Sequence, residues 1–419
     1  MEMQSYSEFS QRIHDQVNPR RIPVNGTIEI SNRCPLNCSH CYNNLPMNDA
    51  TARAAELSFE EHCRILDELA DAGCLWMLFS GGEIFARHDF LDIYDYAKRK
   101  GFLITLFTNG ILIDERIADH LASMRPFAIE ITLYGATKET YEALTRIPGS
   151  YEKCLRGIRL LRERNLPLKL KTVAVTINKH ELFDMKALAE DMGVEFTFDG
   201  MINPRIDCSS SPLAIRLSPV DIVELDLRDP TRAEEWRRLT TELAPPPLIP
   251  GEAGQMYECG GGVNSFAIDP YGNLTICVLS HVDTFNLRDG SFLDGWDGYL
   301  RDIRQKPASS VPTKCTSCNL RTLCGMCPAN GELENGDPEA PVDFLCRVAH
   351  LRAATYDVTV QPHGNCEYCP GGINHHELRE MHADVQRRIA DGPELTPVAI
   401  FPASTGCTSG GCNSCSVGR

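Results

Sequence analysis

The chain has 419 residues, 42% of them hydrophobic, which is enough for two or three domains with real cores. A formal charge of −16 excludes nucleic acid and anionic membrane as the main partner, since both would repel it. The opening residues MEMQSYSEFSQRIHDQ lack the basic head and apolar run of a secretory signal, and no apolar stretch approaches the roughly 18 residues of a membrane span, so a cytoplasmic location is expected.

Nineteen cysteines in such a chain point to metal or redox chemistry rather than a disulfide framework. The first predicted strand, residues 24–31, runs into Cys34-Pro35-Leu36-Asn37-Cys38-Ser39-His40-Cys41-Tyr42. Thiolates spaced C-x3-C-x2-C can fold onto one face of a small Fe–S cluster, yet a four-iron cluster takes four ligands. One iron is then left open, and an open position is where chemistry occurs. The spacing alone also admits a zinc loop completed by a distant cysteine. Ser58-Phe59-Glu60-Glu61 reads as a capping box opening a helix to about residue 71. Predicted strands 75–79, 102–107, 127–133, 168–176 and 194–198 then alternate with helices 89–100, 114–123, 151–164 and 181–192. Six β–α units with mostly continuous apolar strands predict an α/β fold, a parallel sheet covered by helices in an open (β/α)6 TIM-like partial barrel. Barrels of this kind carry their sites at the C-terminal strand ends. The cysteine loop, Ser80-Gly81-Gly82-Glu83, Thr108-Asn109-Gly110 and Thr132-Leu133-Tyr134-Gly135 all fall there.

These motifs, in this order, resemble the radical S-adenosylmethionine (radical SAM) enzymes, with Ile84 standing where the family usually has proline. The resemblance covers most of the chain to about residue 350. It implies that Cys34, Cys38 and Cys41 ligate a catalytic [4Fe–4S] cluster, and that SAM is held by Tyr42, Gly81, Gly82, Glu83, Asn109, Thr132 and Arg146. It further implies reductive cleavage of SAM to a 5′-deoxyadenosyl radical, with a flavodoxin or ferredoxin as reducing partner. Gly81 and Gly82 would let backbone approach the methionine amine, Glu83 would accept from it or order the turn, and Arg146 would pair with the carboxylate.

Residues 206–257 read as a connector, with helical pattern at 219–227 and 231–243 between loop-rich ends. Cys63, Cys74, Cys154 and Cys208 have no sequence partners and are expected to be ordinary thiols. Residues 258–350 hold a second constellation: Cys259, Cys277, Cys315, Cys318, Cys324, Cys327 and Cys346, around a predicted hairpin at 266–276. Seven thiols are one short of the eight that would fully ligate two four-iron clusters; structural zinc is the alternative. The pattern resembles the SPASM extension of radical SAM enzymes that modify peptides, although two residues rather than three separate Cys324 from Cys327. The resemblance implies an outer auxiliary cluster on Cys315, Cys318, Cys324 and Cys346. It implies an inner one on Cys259, Cys277 and Cys327, with its fourth ligand unknown.

The extension 351–419 carries Cys366-x2-Cys369, Cys407 and Cys412-x2-Cys415. Two C-x2-C knuckles suggest a further four-thiolate site for zinc or another Fe–S cluster on Cys366, Cys369, Cys412 and Cys415, with a helix at 374–391 linking them. Residues 403–419 read alternatively as a substrate-like peptide. The expected domains are thus a radical SAM partial barrel (1–205), the connector, a cysteine-rich Fe–S domain (258–350) and the C-terminal extension. The expected function is an oxidoreductase that matures a ribosomally made peptide (a RiPP maturase), through a thioether or carbon–carbon cross-link on a Cys-containing substrate. A haem-pathway maturase of radical SAM type and a non-catalytic Fe–S carrier are the competing readings. Val278, where the family's sulfatase-maturing members carry aspartate, disfavours sulfatase maturation.

Overall fold

The apolar runs of the first half become six strands that pair in chain order, all parallel: β1 Asn25–Glu29, β2 Trp76–Ser80, β3 Leu103–Thr108, β4 Ala128–Thr132, β5 Leu168–Val173 and β6 Glu195–Asp199. The computed structural model describes residues 6–241, 254–280, 283–308 and 313–392. Helices Phe59–Asp71, Phe90–Lys100, Glu115–Ser123, Ser150–Glu163 and Leu182–Asp191 separate the strands. The first opens with a capping box in which Glu61 N donates to Ser58 Oγ at 3.2 Å and Ser58 N to Glu61 Oε2 at 2.7 Å. Leu66, Tyr94, Leu121 and Leu161 from these helices share one core with Ile28, Phe79, Leu106, Ile131 and Leu170 of the sheet.

The opposite sheet face departs from the expected continuous apolar pattern. Strand register puts Glu29, Ser80, Phe107, Glu130 and Lys169 in one row, with Thr132 and Lys171 one step further toward the strand ends. Half-buried Lys171 sits 3.1 Å from Glu130. The strands are two-sided because only one face packs on helices.

Strand β1 is also paired on its other edge. β7 Ser265–Ile268 lies parallel to it, from Asn25 opposite Ser265, and β8 Asn273–Thr275 and β9 Phe285–Asn286 follow antiparallel. The hairpin predicted at 266–276 therefore extends the first sheet to nine strands. Helix Pro219–Arg228 packs on Asp343–Thr355 and His375–Asp391 through Val220, Val223, Leu351 and Val385, and Leu239 of helix Pro230–Leu239 joins a separate cluster with Ala349 and Ala353. Among the described residues no helix is long and apolar enough to cross a membrane. Cys407, Cys412, Cys415 and the rest of 393–419 lie outside the described residues.

Candidate active site and metal centres

The cysteine loop leaves the C-terminal end of β1 and is tied on three sides. Asn37 N donates to Thr145 O (3.0 Å) and Ser39 N to Leu144 O (3.1 Å), fastening it to the end of a helix at Lys138–Thr145. Arg205 donates to Cys41 O (3.2 Å) and to the Asn44 side chain (2.9 Å), closing it from the far side of the sheet. Leu45 N donates to Asn32 O at 2.7 Å, returning the chain to its start. The thiols of Cys34, Cys38 and Cys41 converge. Burial pushes all three up, and for Cys38 the other two sulfurs add to the effect. Thiols held up by burial and by one another's charge are relieved by a soft cation, so the donor set fits an Fe–S cluster.

The two glycines sit where backbone meets backbone. A Cβ on Gly81 would lie 2.4 Å from Ser31 O, and one on Gly82 2.4 Å from Asn32 O. Gly82 N in fact donates to Ser31 O at 2.7 Å. The pair lets the loop after β2 press backbone to backbone against the approach to Cys34. Glu83 is buried and orders its surroundings. It accepts from Phe85 N (3.1 Å), Asn109 N (2.9 Å) and Thr108 Oγ1 (2.7 Å). Burial raises its carboxyl above the ordinary range despite those donors. Asn109 Nδ2 points to Cys34 Sγ at 3.5 Å. Thr132 shares the polar face, and exposed Arg146 caps the helix whose end holds the cysteine loop, with φ at 59°.

Three residues here escaped sequence reading: Glu29, Asn43 and Arg205. Tyr42 OH and Asn43 Nδ2 both donate to Glu29 Oε1 at 2.7 Å. Burial, against those two donors, pushes the Glu29 carboxyl up to about 7. A lone glutamate inside a β-run was the available signal. Of the unassigned thiols, Cys74 and Cys154 are buried, Cys63 is half-buried and Cys208 is exposed.

The second constellation separates into two groups. Cys259 and Cys327 push the Cys277 thiol up on top of burial, Cys259 does the same to Cys327, and Cys277 also acts on Tyr42, so this group adjoins the first loop. Cys315, Cys318, Cys324 and Cys346 line a common recess. Cys366 and Cys369, grouped by sequence with Cys412 and Cys415, lie beside His350 and His363. His363-x2-Cys366-x2-Cys369 was the run that could have revealed this grouping.

Residues 28–192 match the model of the radical SAM superfamily. The chain is 30% identical over 332 residues to the PqqA peptide cyclase of Gluconobacter oxydans (strain 621H), spanning 75% of this chain and 90% of that protein. It is 24% identical over 327 residues to the AdoMet-dependent heme synthase of Methanosarcina barkeri (strain Fusaro / DSM 804), spanning 74% and 92%. Its fold resembles the crystal structure of Streptococcus suis SuiB bound to precursor peptide SuiA, with a TM-score of 0.61 at 18% identity, covering 81% of this chain and 80% of that one.

Proposed function

The chain belongs to the radical SAM superfamily, in the group whose members carry a SPASM-like Fe–S region and mature peptides, and from that membership we propose that it introduces a thioether or carbon–carbon cross-link into a ribosomally made, Cys-containing peptide. In this reading residues 1–205 are the partial (β/α)6 barrel and 206–257 the connector. Residues 258–350 form the SPASM-type domain and 351–419 a separate extension. Cys34, Cys38 and Cys41 hold the catalytic cluster, with Cys315, Cys318, Cys324 and Cys346 for the outer auxiliary cluster and Cys259, Cys277 and Cys327 for the inner. A bound, reduced cluster supplies the electron that splits SAM into methionine and a 5′-deoxyadenosyl radical able to take hydrogen from carbon.

The chain's own residues do the positioning. Glu83, held by Thr108, Asn109 and Phe85, fixes the loop that would hold SAM, and Asn109 steadies Cys34. Thr132 on the polar face and Arg146 at the helix end reach the ribose and the carboxylate. Lys171 and Glu130, paired on the same polar face, would meet the peptide there. The inner group offers three thiols, so a substrate thiolate can complete it beside the reacting carbon, which brings sulfur within bonding reach. In this reading the protein works in the cytoplasm, with a reducing partner such as a flavodoxin or ferredoxin.

The convergence of three thiols above a polar sheet face, next to a second group of three, carries the reading. Anaerobically reconstituted and reduced protein should release 5′-deoxyadenosine from SAM, and replacing Cys34, Cys38 and Cys41 by Ala should abolish release. Cleavage that survives the triple variant overturns the assignment. The similarity to the heme synthase favours a second reading, tetrapyrrole side-chain maturation. Turnover of a porphyrin, and none of a peptide from a neighbouring reading frame, would select it.

A further inference from the structure

The ligand atoms of His350, His363, Cys366 and Cys369 all lie within 4.8 Å of one another, and all four residues are buried. They come from two elements. His350 lies on the Asp343–Thr355 helix, one turn after Cys346, while the other three lie on the loop between that helix and His375–Asp391. The loop is a tight knuckle. Cys366 N donates to His363 O at 3.2 Å and Gly372 N to Cys369 O at 2.8 Å. A Cβ at Gly372 would come within 2.4 Å of Glu367 O, so only glycine allows this turn.

The spacing of the donors matches one ion. With metal–sulfur bonds of about 2.3 Å and metal–nitrogen bonds of about 2.0–2.1 Å, tetrahedral geometry separates sulfur from nitrogen by about 3.5 Å. His350 Nε2 lies 3.5 Å from Cys366 Sγ and 3.6 Å from Cys369 Sγ. His363 offers Nε2 at 3.8 Å from Cys369 Sγ, although its Nδ1 lies nearer, at 3.3 Å. In each histidine the other nitrogen is accounted for. His350 Nδ1 lies 2.8 Å from Cys346 O and His363 Nδ1 2.9 Å from Gln361 O. Donation to those carbonyls fixes the tautomer and leaves Nε2 bare, as is usual for histidine ligands.

We propose that His350, His363, Cys366 and Cys369 form a closed, structural zinc site. Two imidazoles with two thiolates in a tetrahedron select zinc over clusters that want thiolate alone. A two-iron centre could use the same residue types, but its imidazoles and thiolates would sit on different irons, and the short sulfur–nitrogen edges rule that out. Four protein ligands leave no open position, so the ion does not act on substrate. Its place gives it a task. His350 and His363 also line the recess of Cys315, Cys318, Cys324 and Cys346, and Cys366 Sγ lies 3.9 Å from Cys346 Sγ. Zinc fastens the knuckle over the wall of the outer cluster and holds the helix that carries Cys346. The site itself stands whether or not the radical SAM reading does, although this task rests on it.

The test uses holoenzyme with its clusters in place, so that zinc cannot occupy empty cluster thiols. Metal analysis should give about one zinc per chain, and zinc-edge X-ray absorption should show two sulfurs at about 2.3 Å and two nitrogens at about 2.0 Å. C369A and H363A should each lose the zinc and keep the iron, while removal of 393–419 should leave both. Absence of zinc, a shell of four sulfurs, zinc retained in both variants, or zinc lost with the tail would each overturn the proposal. If either variant fails to fold, the absorption spectrum of the unaltered protein decides. None of these readouts depends on SAM cleavage, so failure here and failure of the catalytic assignment are told apart.

Discussion

Gly82 shows why a single atom matters beside the cysteine loop. Its φ is ordinary, yet an added Cβ would sit 2.4 Å from Asn32 O and 2.8 Å from Arg33 O, both backbone atoms that cannot swing aside. G82A should therefore destabilise the protein by roughly 1–3 kcal/mol as an overpacked contact, and should lose SAM cleavage because the approach to Cys34 is displaced. Urea melts of G82A and of G101A, where an added Cβ meets nothing within 4 Å, separate steric cost from left-handed backbone strain. Glu29 offers a pH test. Its buried carboxyl ionises near 7 instead of the usual 4.5. Below about 4.5 folded and unfolded chains both keep the proton. Between there and about 7 only the folded chain does, so stability falls with rising pH and then levels off. E29Q, which keeps an acceptor for Tyr42 and Asn43, should flatten that slope. Above pH 7 it should gain up to about 3 kcal/mol, read from denaturation at a series of pH values.

At the level of elements, the joint between the Pro219–Arg228 helix and the Asp343–Thr355 helix rests on one carboxylate. Asp226, fully enclosed, accepts from Arg352 Nε at 2.9 Å and from Arg232 at 2.7 Å. Removing its charge leaves two guanidinium groups without their anion, so D226N should cost roughly 3–5 kcal/mol in a denaturant melt. The partners are 126 residues apart and could not be paired by reading the chain. What could be read were the six parallel strands and the helices between them, because the apolar runs and the Ser58 cap are local signals. The Lys138–Thr145 helix was missed: it is short, and its Thr137 cap, which accepts from Thr140 N, lies within what read as a loop. Cys34, Cys38 and Cys41 could be grouped from their spacing together with the motifs that follow them. His350 could not be placed, since its partnership with Cys366 and Cys369 exists only once the helix and the knuckle have been brought together.

For the whole molecule the ligand arithmetic predicts iron near 12 per chain, three four-iron clusters, and no more. Iron near 16 would place a further cluster in the extension and can be read by colorimetric assay on reconstituted protein. The nine-stranded sheet has a further consequence, in time rather than in space. Strand β1 delivers the cysteine loop, yet one of its two edges is covered only when Ser265 arrives opposite Asn25. At 5–20 residues per second the ribosome needs about 10–50 s to reach that partner. Through that interval the nascent chain shows a bare strand edge of the kind that recruits other strands. The loop destined for oxygen-sensitive metal therefore emerges on an unfinished scaffold, and yield in the cell should depend on chaperones that shield an edge as much as on the supply of iron and sulfide.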